Sequence, residues 1–199
     1  MCHTGSGSDD GTVCVWDPAT LACVAVLAQG SAVLSLAALP RGGFASGCAD
    51  GVIAVWSAKG ERVTSLGGGA GFGAVASLAV LPDARLAAGY TDAPRTPAGG
   101  PSVVRVWNVK RRALDAVISG HANWVWSLVV LRDGRLASGS RDRTVKVWDE
   151  HALGVRGGAA VDTCAATLAG HADMVTALAV LADSFLASGS IDGTVREWR

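Results

Sequence analysis

Residues Leu136–Asp149 read LASGSRDRTVKVWD, and 50 positions further on Leu186–Trp198 read LASGSIDGTVREW. Each stretch is a run alternating apolar with small or polar residues, then a turn around an aspartate, then a second alternating run ending on tryptophan. A period of two is the mark of a strand with one face buried. The phrase returns as GSGSDDGTVCVWD at 5–17 and FASGCADGVIAVW at 44–56. A degenerate copy reads LAAGYTD at 86–92 and, after an insertion, SVVRVWN at 102–108.

The anchoring tryptophans, Trp16, Trp56, Trp107, Trp148 and Trp198, lie 40, 51, 41 and 50 residues apart. Both long gaps have local causes: nine extra residues between turn and tryptophan in the third copy, and nine after Trp148. The underlying period is 40–42 residues, a length that signals stacked repeats. Further alternating runs, such as MVTALAVL at 174–181 and AATL at 165–168, bring each period to four short strands. Asp10-Gly11 and Asp192-Gly193 supply tight hairpin turns, where glycine tolerates positive φ. A single four-stranded sheet cannot bury both its faces, so consecutive units are expected to stack. One domain, 1–199, is expected, with repeat-like units at about 1–27, 28–66, 67–118, 119–168 and 169–199.

Composition narrows the function. Lys plus Arg and Asp plus Glu number 17 each, so no global field draws the chain to nucleic acid or an acidic membrane. Half the residues are hydrophobic, but no uninterrupted apolar run approaches the roughly 18 residues of a spanning helix. The start, Met1-Cys2-His3-Thr4, shows no export signal, and an intracellular, cytoplasmic or nuclear, location is expected. Cys2, Cys14, Cys23, Cys48 and Cys164 are scattered without a CxxC pair and read as small hydrophobes in a reducing compartment. His3 and His151 have no metal-ligand partner at suitable spacing, so no metal or cofactor is expected. GGGAGFG at 67–73 lacks the Lys-Ser/Thr of a phosphate-binding loop and reads as a loop.

The chain closely resembles the WD40 family on these repeats, with Trp16-Asp17 and Trp148-Asp149 intact and Gly120-His121 and Gly170-His171 as clear Gly-His pairs. Copies two and three carry Gly30-Ser31 and Gly71-Phe72 in that place. The resemblance implies an all-β propeller of about five four-stranded antiparallel blades. It also implies a hydrogen-bonded tetrad of histidine, serine, turn aspartate and tryptophan. His121, Ser138, Asp142 and Trp148 complete it in copy four, and His171, Ser188, Asp192 and Trp198 in copy five. Ser6, Asp10 and Trp16, and Ser46, Asp50 and Trp56, are partial sets. A Ser-His-Asp trio also invites a hydrolase reading, but recurrence at the repeat period and the lack of a strained G-x-S-x-G elbow favour scaffold.

With strands a to d counted outward, 18 are expected; the first blade lacks a and the last lacks d, so the ring is not expected to seal. A fragment of a longer propeller is preferred over an abbreviated open arc, because an open seam leaves strand edges unpaired. In the family, partners dock on the face made by the d-to-a and b-to-c connections. The corresponding positions include Trp124, Trp126 and Arg141 in copy four and Met174 and Ile191 in copy five, against mostly small residues in copies two and three. Indole and guanidinium groups are enriched among interface anchors, which singles out copy four. The insertion at 93–102 is expected on the same face, and the one around 151–160 on the opposite face as solvated linker. The resemblance implies a non-enzymatic scaffold for proteins or peptides, with no direct nucleic-acid or membrane partner. Alternatives are the substrate-recognition part of a ubiquitin ligase and a regulatory propeller attached to a catalytic domain.

Overall fold

In a computed structural model, residues 4–40, 42–68, 72–91, 102–149, 160–161, 164–182 and 185–199 are described. They form strands and turns with no helix, so none is long and apolar enough to cross a membrane. Five sheets follow one another along the chain. The first comprises β1 (Thr4–Gly7), β2 (Thr12–Trp16) and β3 (Cys23–Ala28), and the second β4 (Val33–Ala38), β5 (Phe44–Cys48), β6 (Val52–Trp56) and β7 (Arg62–Gly67). The third holds β8 (Ala74–Val80), β9 (Leu86–Thr91), β10 (Ser102–Asn108) and β11 (Ala113–His121). β12 (Val125–Val130), β13 (Leu136–Ser140), β14 (Thr144–Trp148) and β16 (Cys164–Ala169) make the fourth, and β17 (Val175–Val180), β18 (Leu186–Ser190) and β19 (Val195–Trp198) the fifth. Each is an antiparallel meander in sequence order, as the hairpin turns require, and no pairing seals the first sheet to the last among the described residues.

One strand departs from the four-per-blade expectation. Ala160–Val161 forms β15, which pairs parallel with Val117 and Ile118 on the outer edge of β11. The stretch expected as solvated linker thus contributes its last residue to the third sheet. The physical reason is that nine-residue β11 presents unpaired N–H and C=O groups on its outer side, and a long connection can reach back to them. The remainder of that stretch with His151, the insertion at 93–101, His3, Cys2 and Asp92 lie outside the described residues.

The core is divided by blade. Four apolar clusters each straddle the seam between consecutive sheets, beginning with Val13 against Val33 and Cys48 and ending with Val145 and Val147 against Val175 and Leu186. A recurring glycine sets the approach distance. A Cβ placed on Gly7, Gly47, Gly89 or Gly139 would lie 2.5–2.8 Å from Cγ1 of Val33, Val75, Val125 or Val175, the first valine of the next inner strand. Only a residue without a side chain lets that valine seat against strand b. Inner strands are also tied directly, since the Leu128 N–H donates to Ser77 Oγ (3.0 Å) and the Leu178 N–H to Ser127 Oγ (3.1 Å).

Candidate partner-binding face

Both tetrads form as the repeat implies. In the fourth blade the Trp148 indole N–H, which can only donate, reaches Ser138 Oγ at 2.7 Å. The serine O–H is then free to donate to His121 Nε2 (2.7 Å), and His121 Nδ1–H faces Asp142 Oδ2 (2.7 Å). Asp142 also accepts from the Ala122 N–H, the Thr144 N–H and the Thr144 hydroxyl. Burial pushes the Asp142 carboxyl up, but His121 and Thr144 outweigh it and hold the group well below the usual carboxylate range. In the fifth blade Trp198, Ser188, His171 and Asp192 repeat the chain at 2.8, 2.7 and 2.9 Å. There the Thr194 hydroxyl leads in lowering the Asp192 carboxyl, against an opposing burial effect.

Ser138 is 0% and Ser188 1% exposed, and each oxygen already receives an indole N–H. A substrate carbonyl cannot approach such a hydroxyl, so the trio pins the turn and offers no accessible nucleophile.

Two blades solve the same problem differently, and the sequence reading missed both solutions. In the second blade the Gln29 side chain takes the missing histidine's place: the Ser46 hydroxyl donates to Gln29 Oε1, while the Trp56 N–H donates to Ser46 (2.7 Å). The available signal was a polar residue one position before Gly30-Ser31. In the third blade Phe72 stands where the histidine would, and the serine position is Ala88. Here the Arg105 guanidinium lies 4.5 Å from the ring centres of both Phe72 and Tyr90, a cation–π arrangement where the fourth and fifth blades place their histidine. Burial drives the Tyr90 phenol up to about 12.

These turns position the candidate binding face. In the second, fourth and fifth blades the d-to-a and b-to-c connections are stitched together where the residue before the turn aspartate donates its N–H to the carbonyl preceding the inner strand. The pairs are Ala49 to Ala32, Arg141 to Trp124 and Ile191 to Met174, at 2.9, 2.9 and 3.1 Å. Register shifts in β4, β8, β12 and β17 leave Leu34, Ala76, Trp126 and Thr176 as the extra residue just after the first valine. A bulge there re-aims that side chain at the loop end of the strand.

The consequence is visible in the fourth blade. The Arg141 guanidinium stacks 4.4 Å over the Trp124 ring, and the rings of Trp124 and Trp126 meet edge to face at 6.2 Å. The three residues expected to anchor a partner therefore form one contiguous cluster, with Arg141 exposed and both indoles half-buried. Met174 and Ile191 occupy the matching positions of the fifth blade, Ile191 being 61% exposed. No group of three or more metal-ligating side chains converges among the described residues.

Comparison with known proteins places this geometry. Residues 21–57, 113–149 and 162–199 match the family model "WD domain, G-beta repeat". Ubiquitin homeostasis protein lub1 of Schizosaccharomyces pombe is 33% identical over 123 residues, covering 62% of this chain and 15% of that protein. The crystal structure of the WD40 beta propeller domain of Doa1 superposes with a TM-score of 0.79 at 20% identity, over 98% of this chain and 60% of that one. The chain thus spans under a sixth of the first and three-fifths of the second.

Proposed function

Since the chain belongs to the WD40 repeat family, we propose that it is a non-catalytic scaffold that holds a protein or peptide on the face built by its d-to-a and b-to-c connections. The observation that carries this reading is the contiguous Trp124–Trp126–Arg141 cluster. Stacking and backbone stitching hold its side chains in place, so less conformational entropy is lost when a partner arrives. An indole pair supplies apolar area, and the guanidinium supplies directed donors at its edge.

The test is capture of proteins from lysate by the wild-type chain and by Trp124→Ala/Arg141→Ala, with Lys59→Ala on the opposite, c-to-d side as control. The double variant is expected to lose the main partners at an unchanged melting curve, while the control keeps them. Retention of the same partners at the same strength by the double variant would remove this face from consideration. Likeness to a ubiquitin homeostasis protein favours a narrower second reading, in which the captured partners belong to ubiquitin handling. Identification of the captured proteins tests it.

A further inference from the structure

We propose that the fourth and fifth blades together read a short extended segment carrying one carboxylate side chain and, two or three residues away, an aliphatic one. The inference rests on the scaffold reading above and names the chemistry its face selects.

Arg141 carries the first half. One face of its guanidinium is covered by Trp124, which fixes the plane and leaves the N–H edges directed outward. No carboxylate lies within ion-pair distance of it among the described residues, whereas Arg85, Arg111 and Arg135 each have an aspartate close by. An ordered guanidinium edge without its own anion is matched by two parallel acceptors, which is what a carboxylate offers.

The fifth blade carries the second half. β17 lies beside β12, tied by the Leu178 N–H to Ser127 Oγ bond, so Met174 and Ile191, the counterparts of Trp124 and Arg141, fall on the same face in the neighbouring blade. An extended chain advances about 3.3 Å per residue and packed sheets lie about 10 Å apart, so three residues span neighbouring blades, and two do so with the reach of their side chains.

A single carboxylate fits better than a phosphate. A dianionic phosphate calls for several converging cations. Beside Arg141 this part of the face offers one further cation, the exposed Arg143 of the same turn, while Met174 and Ile191 are neutral and the exposed Asp173 carboxylate, bonded to the Met174 N–H, repels a second negative charge.

The experiment uses the full chain and pools of N-acetylated, C-amidated octapeptides, with one central position fixed as Glu, Gln or phosphoserine and the others randomised. The Glu pool is expected to be retained at least tenfold over the Gln pool, with Leu, Ile, Val or Met enriched two or three residues from the Glu. Arg141→Ala should abolish the acid preference and keep the aliphatic one, and Ile191→Asp should do the reverse, each at an unchanged melting curve. Equal retention of Glu and Gln, survival of the preference in Arg141→Ala, or phosphoserine held tenfold over Glu would each overturn the inference. If lysate capture still depends on Trp124 and Arg141 in that event, the scaffold reading stands and only the ligand chemistry fails. If capture is indifferent to both residues, the scaffold reading falls as well.

Discussion

The fourth and fifth blades carry nearly the same sequence, LASGS followed by a turn aspartate and tryptophan, yet only the fourth is covered on both flanks. On the flank facing the preceding blade the two are alike, and both tetrads close within 2.7–2.9 Å. On the flank facing forward they part: Val145 is 0% exposed and the matching Val195 79%. Gly139 receives Val175, whereas a Cβ on Gly189 would meet only the Ala177 methyl at 3.7 Å. A blade's hydrogen-bond network is therefore set by its own strands and turns, while its forward face depends on what packs there.

The largest expected split is at the tryptophans. Trp148 is fully buried in the seam between the third and fourth blades, and Trp198 is only partly buried. Trp148→Ala is expected to cost about 3–5 kcal/mol, as large-to-small core substitutions do, and Trp198→Ala clearly less; urea midpoints measure both. Equal losses would mean the fifth blade is as tightly covered as the fourth.

Next come the turn aspartates. Asp142→Ala strands His121 Nδ1–H, the Ala122 N–H and the Thr144 donors in a site where the aspartate is only 11% exposed, an expected cost of about 1–3 kcal/mol. Asp192→Ala should cost less, because Thr194, which donates its N–H and hydroxyl to the carboxylate, is exposed to water where Thr144 is half-buried, although the Asp192 side chain is itself only 9% exposed. Asp133→Ala, which removes an exposed ion pair with Arg135 and an exposed hydrogen bond from its N–H, should leave the melting temperature nearly unchanged.

The glycines sharpen the comparison further. Gly139→Ala forces a methyl into Val175 and should cost about 1–3 kcal/mol, while Gly189→Ala should be neutral within about 0.5 kcal/mol. A comparable loss at both positions would show that the forward face of the fifth blade is occupied in solution.

The smallest effect is on acid stability. The Asp142 carboxyl is depressed in the folded state, so the stability it supplies is present above the unfolded value, 3.8, and drains away as pH falls below it towards the folded value. The gap between wild type and Asp142→Asn should stay constant from about pH 7 to 5 and narrow below about pH 4. A gap that widened on acidification would reverse the assignment.

Recurrence did the work in reading this chain. The strands of each blade and their order, the hairpin turns and both full tetrads were legible because each residue's role repeats at a fixed offset from a tryptophan. The same offsets brought Trp124, Trp126 and Arg141 to one place, although only the coordinates show the guanidinium lying on the indole. Gln29 escaped because a side chain one position early can reach Ser46 from a differently shaped turn, which no fixed offset describes. The Arg105–Phe72–Tyr90 stack escaped because three unremarkable substitutions make sense only together.

The local half of this protein is written in its residues: the alternation that makes strands, the turns that order them and the polar groups that must satisfy one another within a blade. Only the assembled sheets show that β15 returns to the edge of β11 and that the first valine of the next blade fills the space at Gly139. The physical reason is range. Strand pairing and turn chemistry act between residues close along the chain, whereas burial of an outward face depends on the surface another blade brings to it.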